Sequence, residues 1–281
     1  MTLRELIAGL PGVQVEGSVE VSVSDLALDS RRVSRGALFA ALPGARLDGR
    51  RFIPHALERG AVAILGEGAR PGQLPDATPY VRAEDARATL ARIARRLFNA
   101  PDEDLAVIGI TGTDGKTTTA HLASRALEQG GLPCALGGTL GLQAGARSED
   151  VGLTTPEAPE LWRFLDQARR EGCKAAALEI SSVAIEARRS LGLRLRAAVL
   201  TTLGHDHLDI HGTVERYHRA KRRLFESLEA DALAILPSDI PQSGEFASST
   251  RARVETYGED ENATWRVFDH EPRARGARFR L

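Results

Sequence analysis

The sequence has almost no material for a covalent framework: its 281 residues hold two cysteines, Cys134 and Cys173, far apart and in no ligand-spaced motif. That argues against a disulfide scaffold or a cysteine zinc site and fits a reducing cytoplasm. An excess of charge of one sign is equally missing, since 37 Lys and Arg stand against 38 Asp and Glu for a net charge of −1. No global field therefore draws the chain to nucleic acid or to an anionic membrane, and any anion is recognised locally. Long apolar runs are missing as well. No stretch approaches the roughly 20 apolar residues of a membrane span, and the N-terminal MTLRELIAGLPGVQVEGS has no basic region leading into an apolar core. What is present, 42% hydrophobic and 27% charged residues, is ordinary globular usage. The length exceeds that of a usual single domain and implies two, each with its own core.

Along the chain, residues 84–98 place Leu90, Ile93, Ala94, Leu97 and Phe98 at helical spacing. The polar, proline-bearing break Asn99-Ala100-Pro101-Asp102 follows, which ends a helix and suits a linker. The domains expected are therefore 1–101 and 102–281. Beyond the break comes an apolar strand from Ala106 to Ile110, a glycine turn, and a helix from Thr117 to Gln129 stopped by Gly130-Gly131. A helix over Leu161–Arg170 and a buried strand from Ala175 to Ile180 make a second round. An apolar run from Ala197 to Leu203, a polar loop, a helix over Val214–Leu228 and a strand from Ala232 to Leu236 make a third. Short strands at Arg253–Tyr257, Trp265–Phe268 and Ala277–Leu281 are expected in the tail. Strands alternating with helices imply an α/β fold with a parallel sheet and helices on its faces.

One motif carries chemistry by itself. In Gly112-Thr113-Asp114-Gly115-Lys116-Thr117-Thr118 the glycines let backbone approach phosphate oxygens, amides freed at the helix start donate to them, and Lys116 adds positive charge. The Thr117 hydroxyl suits a magnesium ion bridging the phosphates. The general phosphate-loop pattern asks for glycine where this chain has Ile110, so only a shorter form, GT-x-GKT[ST], is matched. The competing reading is a glycine turn with an exposed lysine.

Other residues are ambiguous in isolation. Glu179 closes an apolar strand, where a buried carboxylate is costly unless it is paired or bound to metal. The cluster His205-Asp206-His207-Leu208-Asp209-Ile210-His211 crowds three histidines and two acids into seven positions. Zinc is not the main reading, because no cysteine is near and phosphate chemistry favours oxygen-bound magnesium. Lys221, within Ala220-Lys221-Arg222-Arg223, reads on its own as a surface lysine.

Taken together, GITGTDGKTTT, LTTPEAP, LEISS and DHLDIHGTVERYHRAKRRLF occur in an order and spacing that resembles the Mur ligase family, nearest to its MurE type. Asp29-Ser30-Arg31-Arg32-Val33, Gly36–Ala41 and Asp48-Gly49-Arg50-Arg51-Phe52-Ile53 resemble that type's uridine-nucleotide domain. The resemblance implies an N-terminal α/β domain for the UDP substrate followed by a phosphate-loop, parallel-sheet ATPase domain. It implies an ATP-dependent ligase that adds the third amino acid to UDP-N-acetylmuramoyl-L-alanyl-D-glutamate through an acyl phosphate, in peptidoglycan synthesis. Glu179 and His207 would hold magnesium with Thr117 and with Lys221 carbamylated by carbon dioxide, while Lys116 would act on the phosphates. Thr154, Thr155, Ser181 and Arg189 would line the muramyl-peptide channel, and Ser30 would meet the uracil nucleotide. His211 also falls on the family pattern and suits a structural role.

Departures accompany the match. Val183 stands in place of a histidine, Thr202 in place of an asparagine, Ala187 in place of a polar contact and Pro237 in place of an asparagine, while Ala45-Arg46 differs from one uracil-recognition pattern. The family's C-terminal ligase domain, which carries the pocket for the incoming amino acid, is absent from these 281 residues. The expectation is thus the first two domains of a ligase, either a fragment or a chain working with a second chain that supplies the third. The alternatives are another Mur-type ligase, such as the next peptide-adding or an amide ligase, or a catalytically incompetent nucleotide-binding module.

Overall fold

A computed structural model describes residues 1–44, 47–273 and 276–281. The departure at Ala45-Arg46 lies outside the described residues. The chain divides into two compact units. The first comprises Met1–Pro101, Glu157–Asp166 and Arg188–Gly192; the second comprises Asp102–Pro156, Gln167–Ala187 and Leu193–Leu281.

In the first unit, α1 (Leu3–Ile7) precedes strands β1 (Val13–Glu16), β2 (Asp25–Ala27) and β3 (Ala37–Ala40). Helix α2 (Ile53–Glu58), strands β4 (Ala63–Gly66) and β5 (Tyr80–Ala83) and helix α3 (Ala86–Leu97) follow. The sheet order is β1-β5-β4-β3-β2, parallel except for the β1–β5 pair. Phe39, Ile53, Ile64 and Tyr80 are fully buried in one cluster on this sheet. Helix α3 starts where the Asp85 carboxylate accepts the Ala88 amide, a cap that satisfies one of the orphan donors of a first turn. It stops before Asn99 and Ala100, which both take positive φ (57° and 44°). The polar break read from the sequence therefore ends the helix with two residues in the left-handed region.

The second unit begins with β6 (Ala106–Thr111), α4 (Lys116–Gln129), β7 (Cys134–Gly138), β8 (Gly141–Ala144) and β9 (Arg147–Glu149). Next come α5 (Ala158–Arg170), whose residues up to Asp166 belong to the first unit, β10 (Ala175–Glu179), α6 (Ser182–Glu186) and β11 (Ala197–Leu200). Helices α7 (Leu208–His211) and α8 (Val214–Glu226), strand β12 (Leu233–Pro237), helix α9 (Ser243–Ser249) and strands β13 (Arg253–Gly258) and β14 (Trp265–Arg266) complete the main sheet. A separate hairpin pairs β15 (Phe268–Arg273) with β16 (Gly276–Arg280).

Among the described residues the main sheet runs β14-β13-β12-β11-β6-β10-β7-β8-β9. It is parallel from β14 to β7, as the alternation of strands and helices predicts. The sequence reading names no strand between Gln129 and Leu161, yet three lie there, with β8 and β9 added antiparallel at the edge. Cys134–Gly138 is buried on both faces, so it lacks the alternation that marks a half-exposed strand. The apolar run expected to reach Leu203 leaves the sheet at Leu200, where Thr201 and Thr202 turn their hydroxyls to the Asp114 carbonyl. Helix α4 packs Ala120 against Ile110, Leu136 and Ala177.

This order positions a site. From β6 the chain crosses to β7 and returns to β10 on one side, then places β11 on the other side of β6. Ligands in open α/β sheets sit at the carboxyl ends of the strands where the winding reverses. Here those are the ends of β6, β10 and β11, which carry Gly112, Glu179 and Thr201. No helix among the described residues is long and apolar enough to cross a membrane.

Candidate active site

The glycine loop joins β6 to α4, the strand–loop–helix context its sequence called for. Gly115 caps α4 with φ 83°, a conformation that costs a residue with a Cβ about 1 kcal/mol or more. A side chain on Gly112 would overlap the Thr201 hydroxyl, so only glycine lets the loop lie against the end of β11. There the Thr113 amide donates to Thr202 O (2.9 Å) and the Asp114 amide to Thr202 Oγ1 (2.8 Å). The Thr201 hydroxyl donates to Asp114 O (2.6 Å). Thr202, which replaces the family's asparagine, thus still anchors the loop with a polar group. Thr117 and Thr118 lie in the first turn of α4, with Thr118 exposed.

Two ammonium groups converge on this loop. Lys116 Nζ donates to Gly112 O (3.0 Å) and Thr113 O (2.8 Å). Lys221 Nζ, carried by α8, donates to the same Gly112 oxygen at 2.8 Å. Lys221 is only 1% exposed, against the surface position its sequence neighbours suggest. The reason is periodicity: Tyr217, Ala220, Lys221, Leu224 and Phe225 form the buried stripe of α8. Burial, and then the nearby Lys116 charge, pull the Lys221 amine down to about 7. Its head group lies 4.3 Å from the centre of the Tyr217 ring, within cation–π range. Neither lysine has a carboxylate ion-pair partner among the described residues.

Facing them is the opposite deficit. Glu179, 2% exposed at the end of β10, accepts from Thr117 Oγ1 (2.9 Å), Thr139 Oγ1 (3.1 Å) and the Thr139 amide (2.9 Å). All three donors are neutral. A Cβ on Gly138 would collide with this carboxylate, so the Gly138-Thr139 turn is shaped around it. Thr139 Oγ1 also meets Thr154 Oγ1 at 3.1 Å. Thr155, buried, donates to Glu179 O (2.9 Å) and accepts the Ser181 amide (3.0 Å). Ser181 in turn caps α6 through the Ala184 amide. Thr117, Thr154, Thr155 and Ser181 are thereby gathered around Glu179.

The remaining sequence candidates have local partners of their own. His207 takes φ 50° at the start of α7, and its exposed ring lies 3.5 Å from Asp206. Among the described residues no three His, Cys, Asp or Glu side chains form a group that could hold a metal. His211 is buried instead, with Nε2 3.0 Å from Ser182 Oγ, and burial keeps its pKa low. In the first unit, Arg189 pairs with Glu157 at 2.7 Å, and the buried Ser30 meets His55 Nδ1 at 2.9 Å. Sequence reasoning missed Gly138, Thr139, Thr201 and Tyr217. Gly138-Thr139 following an unbroken apolar run, and a tyrosine one turn before Lys221, were the available signals.

The Mur ligase middle domain matches residues 110–281, and the model described as Mur ligase family, catalytic domain, matches residues 22–97. The chain belongs to the Mur ligase family. It is 42% identical over 251 residues to a UDP-N-acetylmuramoyl-L-alanyl-D-glutamate--2,6-diaminopimelate ligase of Chlorobium phaeobacteroides, covering 88% of this chain and 49% of that one. It is 38% identical over 298 residues to a UDP-N-acetylmuramyl-tripeptide synthetase of a Roseiflexus species, covering 100% of this chain and 58% of the relative. A solved structure of a UDP-N-acetylmuramoyl-L-alanyl-D-glutamate--2,6-diaminopimelate ligase superposes with a TM-score of 0.82 at 26% identity, over 99% of this chain and 57% of that one. A MurF ligase of Thermotoga maritima in complex with ADP shares the fold, with a TM-score of 0.63 at 23% identity over 91% of this chain and 55% of that one. The chain thus spans about half to three-fifths of the length of these relatives.

The donor set fits the groups that such a ligase uses. Among the described residues, an ammonium held only by carbonyls, Lys116, suits a polyphosphate, and a buried carboxylate held only by hydroxyls and an amide, Glu179, suits a hard cation. Lys116 and the loop amides would suit the phosphates of ATP, and Thr117 and Glu179 a magnesium ion.

Proposed function

We propose that this chain carries the ATP-handling part of a ligase that adds an amino acid to UDP-N-acetylmuramoyl-L-alanyl-D-glutamate in peptidoglycan synthesis. One observation carries the reading: among the described residues, the loop's own Lys116 has no carboxylate partner and the buried Glu179 carboxylate is held only by neutral donors, and both lie at the same glycine loop. ATP with magnesium would satisfy both deficits. Phosphoryl transfer depends mainly on positioning and charge neutralisation, which Lys116, Thr117, Glu179 and the loop amides supply. The γ-phosphoryl group passes to the substrate carboxylate, leaving ADP. The incoming amine then attacks the acyl phosphate, forms the amide and expels phosphate. Bound magnesium would neutralise phosphate charge, held by Thr117 and Glu179 with His207 drawn in.

Lys221 is read as the carbamylation site. Carbon dioxide reacts only with a neutral amine, and an amine near 7 is largely neutral in slightly alkaline solution. The nitrogen lone pair attacks the carbon, an N–C bond forms as one C=O π pair moves onto oxygen, and the nitrogen releases a proton to solvent, so the neutral amine becomes an oxygen-donating anion. Thr154, Thr155, Ser181 and Arg189 are assigned to the muramyl peptide and Ser30 to the uracil nucleotide. Residues 1–101 serve the UDP substrate and residues 102–281 the nucleotide, in a cytoplasmic protein.

Calorimetry with ATP and magnesium tests the core of the reading. Lys116→Ala should abolish binding, because it removes the cation that the loop itself carries; unchanged affinity refutes the assignment. Ligation should then be assayed with the muramyl dipeptide, ATP and diaminopimelate or lysine. The assay is run with this chain alone and with a separate chain supplying the remainder of such a ligase. Amide formation in neither arm would overturn the assigned activity.

A further inference from the structure

We propose that Tyr217 is a positioning residue of the phosphate site: its phenol aims the Thr113 hydroxyl of the loop while its ring seats the Lys221 head group. The proposal rests on the reading of this loop as a nucleotide site. Tyr217 is 1% exposed, and its O–H donates to Thr113 Oγ1 at 3.0 Å. The same oxygen accepts the Gly204 amide at 2.8 Å. A hydroxyl has two acceptor lone pairs and one proton. With both lone pairs engaged, the Thr113 proton has no acceptor among the described residues and is left for an oxygen from outside. An anion at the loop supplies that oxygen, so the phenol makes Thr113 an obligate donor to phosphate.

The ring is fixed in turn. Lys221, one helical turn onward, stands over it at 4.3 Å, and the His211 ring meets it at 5.4 Å in an edge arrangement. His211 is tied to Ser182 at the start of α6. Tyr217 therefore links the segment that follows Glu179 to the segment that follows β6. Groups that must sit within about 0.5 Å of their working position need this kind of locked support.

The test is ADP affinity of the 281-residue chain by calorimetry. Tyr217→Phe keeps the ring and loses only the O–H, so it should weaken ADP about fivefold, or about 1 kcal/mol, the worth of one neutral hydrogen bond. Thr113→Val should weaken it by at least as much. The double variant should bind about as Thr113→Val alone, because the phenol acts through that hydroxyl. A merely structural role would lower the melting temperature of Tyr217→Phe and leave the ADP affinity of the folded protein intact. Unchanged affinity in Tyr217→Phe, with the parent binding ADP, overturns the role of Tyr217 alone. Additive losses in the double variant do the same. No ADP binding by the parent overturns the nucleotide reading and this role with it. Should Tyr217→Phe fail to fold, unchanged affinity in Thr113→Val refutes the proposal from the loop side.

Discussion

Replacing Lys221 by methionine should change the stability of this protein in a way that depends on pH, and the size can be worked out. The amine titrates near its ordinary 10.5 in the unfolded chain and at about 7 in the folded one. Below about 7 both states hold the proton, and the cost of burying the charge is fully present. Between 7 and 10.5 only the unfolded chain holds it, so stability rises with pH by up to about 1.4 kcal/mol per pH unit. Between pH 6 and pH 9 the parent should gain about 2.5 kcal/mol relative to Lys221→Met, which has nothing to titrate at this position. For a unit of this size that is roughly 5–10 °C in melting temperature. The assay is urea unfolding of both proteins at pH 6, 7, 8 and 9 in buffer freed of carbon dioxide. A difference between parent and variant that stays flat across this range refutes the burial argument. Adding bicarbonate at pH 8 should stabilise only the parent, because a group that reacts with the folded amine shifts the equilibrium by mass action.

Two further substitutions probe the carboxylate side of the site. Gly138→Ala should cost about 1–3 kcal/mol through overpacking against Glu179 and should abolish the magnesium dependence of ATP binding; calorimetry with and without the metal reads this, and unchanged magnesium dependence refutes it. Thr155→Val, at a side chain 3% exposed, removes the donor to Glu179 O and the acceptor of the Ser181 amide. It should cost about 1–3 kcal/mol in urea unfolding, the penalty of stranding buried polar groups, and an unchanged midpoint counts against the geometry around Glu179.

What could be read in advance divides along contiguity. The phosphate loop is one short segment whose function lies in its own backbone, so Gly112 to Thr118 announce it without help from the rest of the fold. Strand and helix alternation was equally legible, because periodicities of two and 3.6 are local. The partners of Glu179 were not. Thr139 comes from the end of β7 and Thr117 from the start of α4, 40 and 62 residues from it in sequence. Only the return of β10 between β6 and β7 brings them to one carboxylate. Strand order is a property of the whole sheet, and no window of the sequence contains it.

The burial of Lys221 is a different kind of miss, because its signal was local and the residue type obscured it. Positions 217, 220, 221, 224 and 225 have the spacing of one helix face, and four of the five are Tyr, Ala, Leu and Phe. A lysine in the middle of such a stripe has two outcomes. Its stem can carry the charge out to water, as most do, or the stripe can be wide enough to bury the head group as well. Here Tyr217 and Phe225 flank it at one turn on either side, and Lys221 itself is only 1% exposed. Among the described residues the charge is held by a carbonyl and a ring and by no carboxylate, so the folded state bears a cost for burying it. A cost of that kind persists at sites of function, and the same stripe with leucine at position 221 would fold better and could not take up carbon dioxide.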